Sequence, residues 1–210
     1  MGSSNPFRLG ILGSGCGTNF VAINAAIERR RIPVEVSIVV SDIEDSEILS
    51  HARRCNVNSR FIDPGTYRTK LDDATEKIYV STLLEAQVDL VVLAGFMRIL
   101  KGELLKAFEG RVINIHPSLL PSFPGLEACQ QALDYGVKFT GATVHFVDQG
   151  IDSGPIISQE TVPVLDDDTP QSLHERIQLA EHKIYPEAIA AIAGGEVRQK
   201  GRRTYISSSQ

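Results

Sequence analysis

Asn114 and His116 are the residues whose types and spacing speak most directly to chemistry. They follow the strand-like run Arg111-Val112-Ile113, and side chains two apart in an extended chain leave the same face. The pair therefore points to one side, with Ile113 and Ile115 on the other. An amide donor beside a titratable imidazole suits stabilising and protonating a developing oxyanion. Pro117 cannot extend a β-ladder, and Pro121 and Pro124 fix the φ angles beyond it. The pair is thus expected at the C-terminal end of a strand, on a stiff rim. An Asn near a strand end also serves to hold a turn, and a lone His is commonly structural. The two residues by themselves leave both readings open.

The elements that must position this pair alternate short apolar runs with amphipathic stretches, the signature of an α/β layered fold. Residues 7–12, 34–40 and, more weakly, 59–62 read as strands, and residues 88–94 form a continuously apolar run expected of a covered parallel strand. Between them, Phe20, Ile23 and Ile27 mark a first helix capped by Thr18 or Asn19, and residues 51–55 close a second. Leu71, Ala74 and Ile78 mark a third, running towards Ala86, and residues 102–108 a short fourth. After the proline-rich rim, residues 126–135 read as a helix ended by Gly136, and residues 140–147 and 156–164 as strands that could pair as a hairpin. Thr169-Pro170 opens a last helix, with Thr as cap and Pro at its first position. It carries Leu173, Ile177, Ala180 and Ile184, is interrupted or kinked at Pro186, and ends near Gly194-Gly195. The pattern gives a single domain over 1–210, with a phosphate-binding N-terminal half, a catalytic C-terminal half, and peripheral ends at 1–6 and 196–210.

A second candidate site is the turn Gly13-Ser14-Gly15-Cys16-Gly17 between the first strand and the first helix. Glycines let the backbone approach an anion closely, and the helix N-terminus supplies free N–H groups and a favourable dipole. The spacing is not GxGxxG and lacks the Lys-Ser/Thr of a P-loop. The reading is a phosphate held by amides around Gly15, Cys16, Gly17, Thr18 and Asn19. Two alternatives stand beside it: a tight turn and nothing more, or a dinucleotide site with Asp42 on a ribose.

Bulk properties set the outer limits. The 210 residues are 42% hydrophobic and 22% charged, enough for a sizeable core in an ordinary globular composition. A net charge of −5 argues against a general nucleic-acid or membrane-surface binder. Cys16, Cys55 and Cys129 form no CxxC pair, which fits a reduced, cytoplasmic compartment and offers no zinc site. No apolar run reaches membrane-spanning length.

Five segments, in order, resemble the folate-dependent formyltransferases, and among them the phosphoribosylglycinamide formyltransferase family. They are Ser14-Gly15-Cys16-Gly17-Thr18-Asn19; Leu93-Ala94-Gly95-Phe96-Met97-Arg98-Ile99-Leu100; Asn114 to Gly125; Val144-His145-Phe146-Val147 with Gly150-Ile151-Asp152-Ser153-Gly154-Pro155; and Arg176-Ile177-Gln178 with Glu181-His182 and Tyr185-Pro186. The resemblance covers about residues 7–195. It implies a Rossmann-like three-layer fold, with a mostly parallel central sheet and helices on both faces. It also implies a reaction in which the amine of 5-phosphoribosylglycinamide attacks the formyl carbon of 10-formyltetrahydrofolate, a co-substrate, with no metal.

By the same resemblance, Asn114 donates to the formyl oxygen, and His116 is the general acid or part of the proton relay. Asp152 pairs with His116 and stabilises its charged form. Met97, Arg98, Ile99 and Leu100 line the folate pocket, mostly through backbone groups, and the turn Asp148, Gln149, Gly150 and Ile151 completes it. Arg98 must find an acid, a carbonyl or solvent for its guanidinium. Arg68 meets a folate carboxylate, while Glu181, with Gln178, reaches the ribose hydroxyls. His145 shares a strand face with Thr143 and Val147 and reads as structural, near the site. Asp166, Asp167 and Asp168 read as a solvated turn. Cys16 departs from the Asn or small residue common in the family, and its thiol is expected to be reactive beside a helix N-terminus.

The nearest rivals within the fold are expected to look different. Methionyl-tRNA formyltransferase would carry an Arg-Gly-Ala type sequence in place of Ser122-Phe123-Pro124-Gly125, and a basic RNA-binding domain. Formyltetrahydrofolate hydrolase would carry an N-terminal regulatory domain. From another class, a dinucleotide sensor would use the glycine loop and Asp42 without needing Asn114, His116 and Asp152 together. Partners are the two substrates, with no nucleic acid or membrane, in a monomer or homodimer.

Overall fold

Short runs of β-branched and aliphatic residues alternate with helices along the described chain, and this punctuation sets its layers. The structure is a computed structural model describing residues 6–207. The reading of residues 1–6 as peripheral falls, except for Pro6, outside the described residues, as does that of residues 208–210. The chain packs as two compact units, Met1–Ile113 and Asn114–Gln210.

The first unit contains β1 (Phe7–Leu12), α1 (Thr18–Glu28), β2 (Val34–Ser41), α2 (Glu47–Arg54), β3 (Ser59–Phe61), α3 (Asp73–Glu85), β4 (Leu90–Leu93) and α4 (Gly102–Ala107). Its strands run in the order β3-β2-β1-β4, all parallel. Every residue of β4 is buried, as its unbroken Leu-Val-Val-Leu requires. The first helix differs from expectation at its start. Thr18 already lies inside α1, so neither Thr18 nor Asn19 is the cap; Gly17 takes that place with φ of 73° and no side-chain capping bond. A Cβ there would come within 2.8 Å of Ile48, so the turn needs glycine for space as well as for φ.

The boundary between the units falls within β5 (Val112–His116). The second unit continues with α5 (Ala128–Tyr135), β6 (Phe139–Phe146), β7 (Ile156–Pro163), α6 (Pro170–Ala193), β8 (Val197–Lys200) and β9 (Arg203–Ile206). β6 and β7 pair antiparallel, as their alternation foretold. Gly136 ends α5 in the left-handed conformation. Thr169 caps α6 reciprocally with Ser172, and Leu173, Ile177, Ala180 and Ile184 form its buried stripe. Pro186 lies inside this helix and does not interrupt it. The β8–β9 hairpin was not foreseen. Its apolar content is low, and β9 joins the sheet beside β7 through the Ile156–Arg203 pairing. The nine described strands follow the order β3-β2-β1-β4-β5-β6-β7-β9-β8.

Candidate active site

In the second unit, β5 delivers Asn114 and His116, and β6 delivers His145, to one cluster completed by Asp152. His116 Nδ1 lies 3.3 Å from Asp152 Oδ2, and both side chains are nearly enclosed. The other ring nitrogen, Nε2, donates to the carbonyl of Phe123 at 2.9 Å. Both nitrogens thus face acceptors, an arrangement whose two contacts are hydrogen bonds together only in the imidazolium. Asp152 is tethered in turn by the amide of Gly125, which donates to Oδ2 at 2.8 Å.

Asp152 itself sits at φ of 48°, in the left-handed region that Asp tolerates better than most side chains. The turn before it is folded by Asp148, whose Oδ1 accepts from the Gly150 amide at 3.0 Å and the Ser153 hydroxyl at 2.5 Å. Gly154 follows, where a Cβ would fall 1.7 Å from the Phe146 carbonyl oxygen. Gln149, Gly150 and Ile151 form the exposed part of this turn.

His145 is more than the structural neighbour expected from sequence. Its Nδ1 donates to the carbonyl of Phe146 at 2.8 Å, leaving Nε2 as an acceptor, and Asn114 Nδ2 stands 3.3 Å from it. Asp152 Oδ1 is 3.7 Å from the same nitrogen. Burial pushes the His145 imidazole below its ordinary range, outweighing the Phe146 carbonyl and Asp152, which pull it up. A neutral His145 therefore fixes which way the Asn114 amide faces.

The rim between His116 and Gly125 is anchored by a hydrogen-bond network centred on buried Thr143 that sequence reasoning missed. Thr143 Oγ1 donates to the Ser118 carbonyl at 2.6 Å and accepts from the Leu120 amide at 3.1 Å. Gln159 Nε2 donates to Thr143 Oγ1 and to the Leu120 carbonyl, each at 2.9 Å. Thr143, a buried polar residue on β6 opposite Gln159 of β7, was the available signal.

On α6, Glu181 is buried and Gln178 Nε2 lies 3.0 Å from His174 Nε2. Asp168 departs from the solvated turn expected of it. Its carboxylate is buried, accepts from the Leu165 amide at 2.7 Å and the Ser172 hydroxyl at 2.9 Å, and pairs with Arg176 at 2.5 Å. Burial raises the Asp168 carboxyl, but these donors outweigh it and hold it below the usual carboxylate range. Asp166 remains exposed.

The first unit carries the other candidate groups. The glycine turn is closed by Gly13 N to Val40 O, Ser14 N to Gly95 O and Ile48 N to Gly15 O. Among the described residues, none of these backbone bonds uses the N–H of Gly15, Cys16, Gly17 or Thr18. Gly15 and Cys16 are exposed, while Asn19 is buried. Ser14 Oγ accepts from the Met97 amide at 2.9 Å, which joins the turn to the segment Met97, Arg98, Ile99 and Leu100. Met97 is exposed and Leu100 buried.

Arg98 finds both an acid and carbonyls. Its Nε is 2.6 Å from Asp42 Oδ2, and its Nη1 donates to the carbonyls of Tyr67 and Arg68. Asp42 is buried, and its Oδ1 has no hydrogen-bond partner among the described residues. The carboxylate that a dinucleotide site would turn to a ribose is thus committed to Arg98. The Arg68 side chain is exposed.

Comparison with known proteins bears on these groups together. The formyl transferase family matches residues 7–189. The chain belongs to this family. It is 41% identical over 200 residues to the phosphoribosylglycinamide formyltransferase of Mycobacterium tuberculosis, covering 95% of this chain and 91% of that one. It is 43% identical over 197 residues to the trifunctional purine biosynthetic protein adenosine-3 of Gallus gallus, covering 93% of this chain and 19% of the relative. The chain thus spans about a fifth of the length of the trifunctional relatives it matches. The crystal structure of glycinamide ribonucleotide transformylase 1 from Symbiobacterium toebii superimposes with a TM-score of 0.93 at 48% identity, covering 97% of this chain and 95% of that one. Among the described residues, no helix is long and apolar enough to cross a membrane, and no three His, Cys, Asp or Glu group as metal ligands.

Proposed function

We propose that this formyltransferase moves the formyl group of 10-formyltetrahydrofolate to the amine of 5-phosphoribosylglycinamide in de novo purine biosynthesis, with no metal. The observation that carries the reading is the cluster of Asn114, His116 and Asp152, with His116 Nδ1 3.3 Å from Asp152. The names and full-length coverage of relatives such as the Mycobacterium tuberculosis enzyme support the choice of amine.

The amine nitrogen attacks the formyl carbon, and the formyl oxygen becomes an oxyanion. One N–H of Asn114 is committed to His145, which leaves the other to donate to that oxygen. A proton reaches the folate nitrogen as its bond to the formyl carbon breaks, with His116 as general acid or as part of the relay. The proton lost by the amine restores His116, so tetrahydrofolate and the N-formyl product leave with charge balanced. Asp152 holds the imidazolium form in register.

Within the first unit, the amides of Gly15, Cys16, Gly17, Thr18 and Asn19 take the phosphate. Backbone groups of Met97, Arg98, Ile99 and Leu100 read the folate ring, and Arg68 meets a carboxylate. Within the second unit, Glu181 and Gln178 take the ribose hydroxyls, and the turn Asp148, Gln149, Gly150 and Ile151 closes on folate. The enzyme is assigned to the cytoplasm, as a monomer or homodimer.

The test is an absorbance assay of formyl loss with purified chain, both substrates, and each substrate omitted in turn. Turnover requiring both is the expected result. Formyl loss without the ribonucleotide would replace this reading with a hydrolase, and no formyl loss from folded protein would end it.

A further inference from the structure

On α6, residues 174, 178 and 181 fall at intervals of four and three, so their side chains share one helical face. Gln178 and Glu181 were singled out by sequence; His174 was not. His174 is half-buried, and its ring bridges two neighbours: Nε2 is 3.0 Å from Gln178 Nε2, and Nδ1 is 3.9 Å from Cys129 Sγ on α5. The same imidazole lines a cavity of about 390 Å³ with Pro117, Glu127, Cys129, Pro170 and Gln171. Pro117 directly follows His116, so this cavity opens beside the end of the strand that carries the proposed acid.

The hydrogen-bonding chemistry of the row gives it a direction. An amide nitrogen carries only donors, so the contact between Gln178 Nε2 and His174 Nε2 is a bond in which the imidazole accepts. The His174 proton is then on Nδ1, facing sulfur. Burial and the nearby charge of Glu181 push the Cys129 thiol up to about 11, so its sulfur stays uncharged and accepts weakly. With its nitrogen anchored, Gln178 keeps its carbonyl oxygen as an acceptor, the group that recognises a hydroxyl.

We propose that His174 is a positioning residue for the polyhydroxylated substrate, setting the Gln178 amide so that Gln178 accepts from a ribose hydroxyl. This rests on the reading of Gln178 as a substrate-binding residue. His174 touches no reacting atom, so its effect falls on capture of the ribonucleotide and leaves the formyl donor untouched.

The test is steady-state kinetics on the full chain with each substrate varied in turn. His174→Phe is expected to raise KM for 5-phosphoribosylglycinamide about three- to tenfold, the range of one hydrogen bond. Its kcat and its KM for 10-formyltetrahydrofolate should stay within about twofold. His174→Gln, whose carboxamide oxygen overlays the acceptor nitrogen, should restore the parental KM. In a Gln178→Ala background, His174→Phe should add less than about twofold, because its route of action is gone. His174→Leu substitutes if the Phe variant misfolds by circular dichroism. If Gln178→Ala raises KM while neither His174 variant does, or if the effects add fully, the positioning role falls and the role of Gln178 stands. If Gln178→Ala leaves KM unchanged, the underlying reading of Gln178 falls and takes the proposal with it.

Discussion

His145 Nε2 lies 3.3 Å from Asn114 Nδ2, while the opposite ring nitrogen donates to the Phe146 carbonyl. A buried histidine whose tautomer is set by a backbone carbonyl thereby sets the orientation of an amide on the neighbouring strand. Asn114→Ala should lower kcat about 100-fold or more, the usual cost of one oxyanion donor. His145→Leu keeps Asn114 but frees its amide to turn, and should lower kcat about tenfold with little change in either KM. Equal kcat in the parent and the His145→Leu protein, read in the formyl-transfer assay, would remove the orienting role.

The pairing of His116 with Asp152 predicts unequal costs. His116→Ala should lose about 100-fold or more in kcat. Asp152→Asn replaces a charge-assisted contact with a neutral one and should lose about 10- to 100-fold. KM for either substrate should change little in Asp152→Asn, since Asp152 meets the imidazole and not the substrate. An unchanged kcat in the formyl-transfer assay would show that Asp152 serves the turn alone.

Arg98 and Asp42 predict a stability effect rather than a chemical one. Removing the guanidinium in Arg98→Ala strands a buried carboxylate and should cost about 3–5 kcal/mol in urea denaturation. The double variant Arg98→Met with Asp42→Leu removes both charges and should recover much of that loss. Additive losses would mean the two side chains are energetically independent.

Stability should also fall with acid in two stages. Burial holds His145 and His182 below the ordinary imidazole value of 6.5 in the folded chain. As pH drops below about 6.5 the unfolded chain takes up protons that the folded chain refuses, so stability present above that pH is lost below it. Asp168 acts lower. Its folded carboxyl lies below the ordinary 3.8, so its contribution is present above that value and lost as pH falls through the folded pKa. Melting temperature should be level near pH 7 to 8, decline from about 6.5 towards 5, and decline again below about 4. A level melting temperature between pH 7 and 5 would contradict the histidine part.

Much of this arrangement was legible in the chain because it is written in short-range rules. The alternation in β5 placed Asn114 and His116 together, Thr169-Pro170 opened α6, and β6 and β7 paired as expected. What escaped was long-range. No spacing rule couples Asn114 to His145, or Arg98 to Asp42, since those contacts depend on which strands become neighbours. The β8–β9 hairpin lacked the apolar alternation that marks buried strands. Asp168 was misjudged because three adjacent acids look solvated, although one of them is the partner of Arg176, about two helical turns further on. The pairing of His116 with Asp152 came from family resemblance, not from spacing.

The two-residue alternation of β5 also makes its reading frame unforgiving. Val112–His116 presents Asn114 and His116 on one face and Ile113 and Ile115 on the other. Loss of a single codon within this strand would turn the faces over, sending isoleucine into the cluster around Asp152 and polar groups into the core. Substitutions grade the chemistry here, whereas a one-residue deletion abolishes chemistry and packing at once.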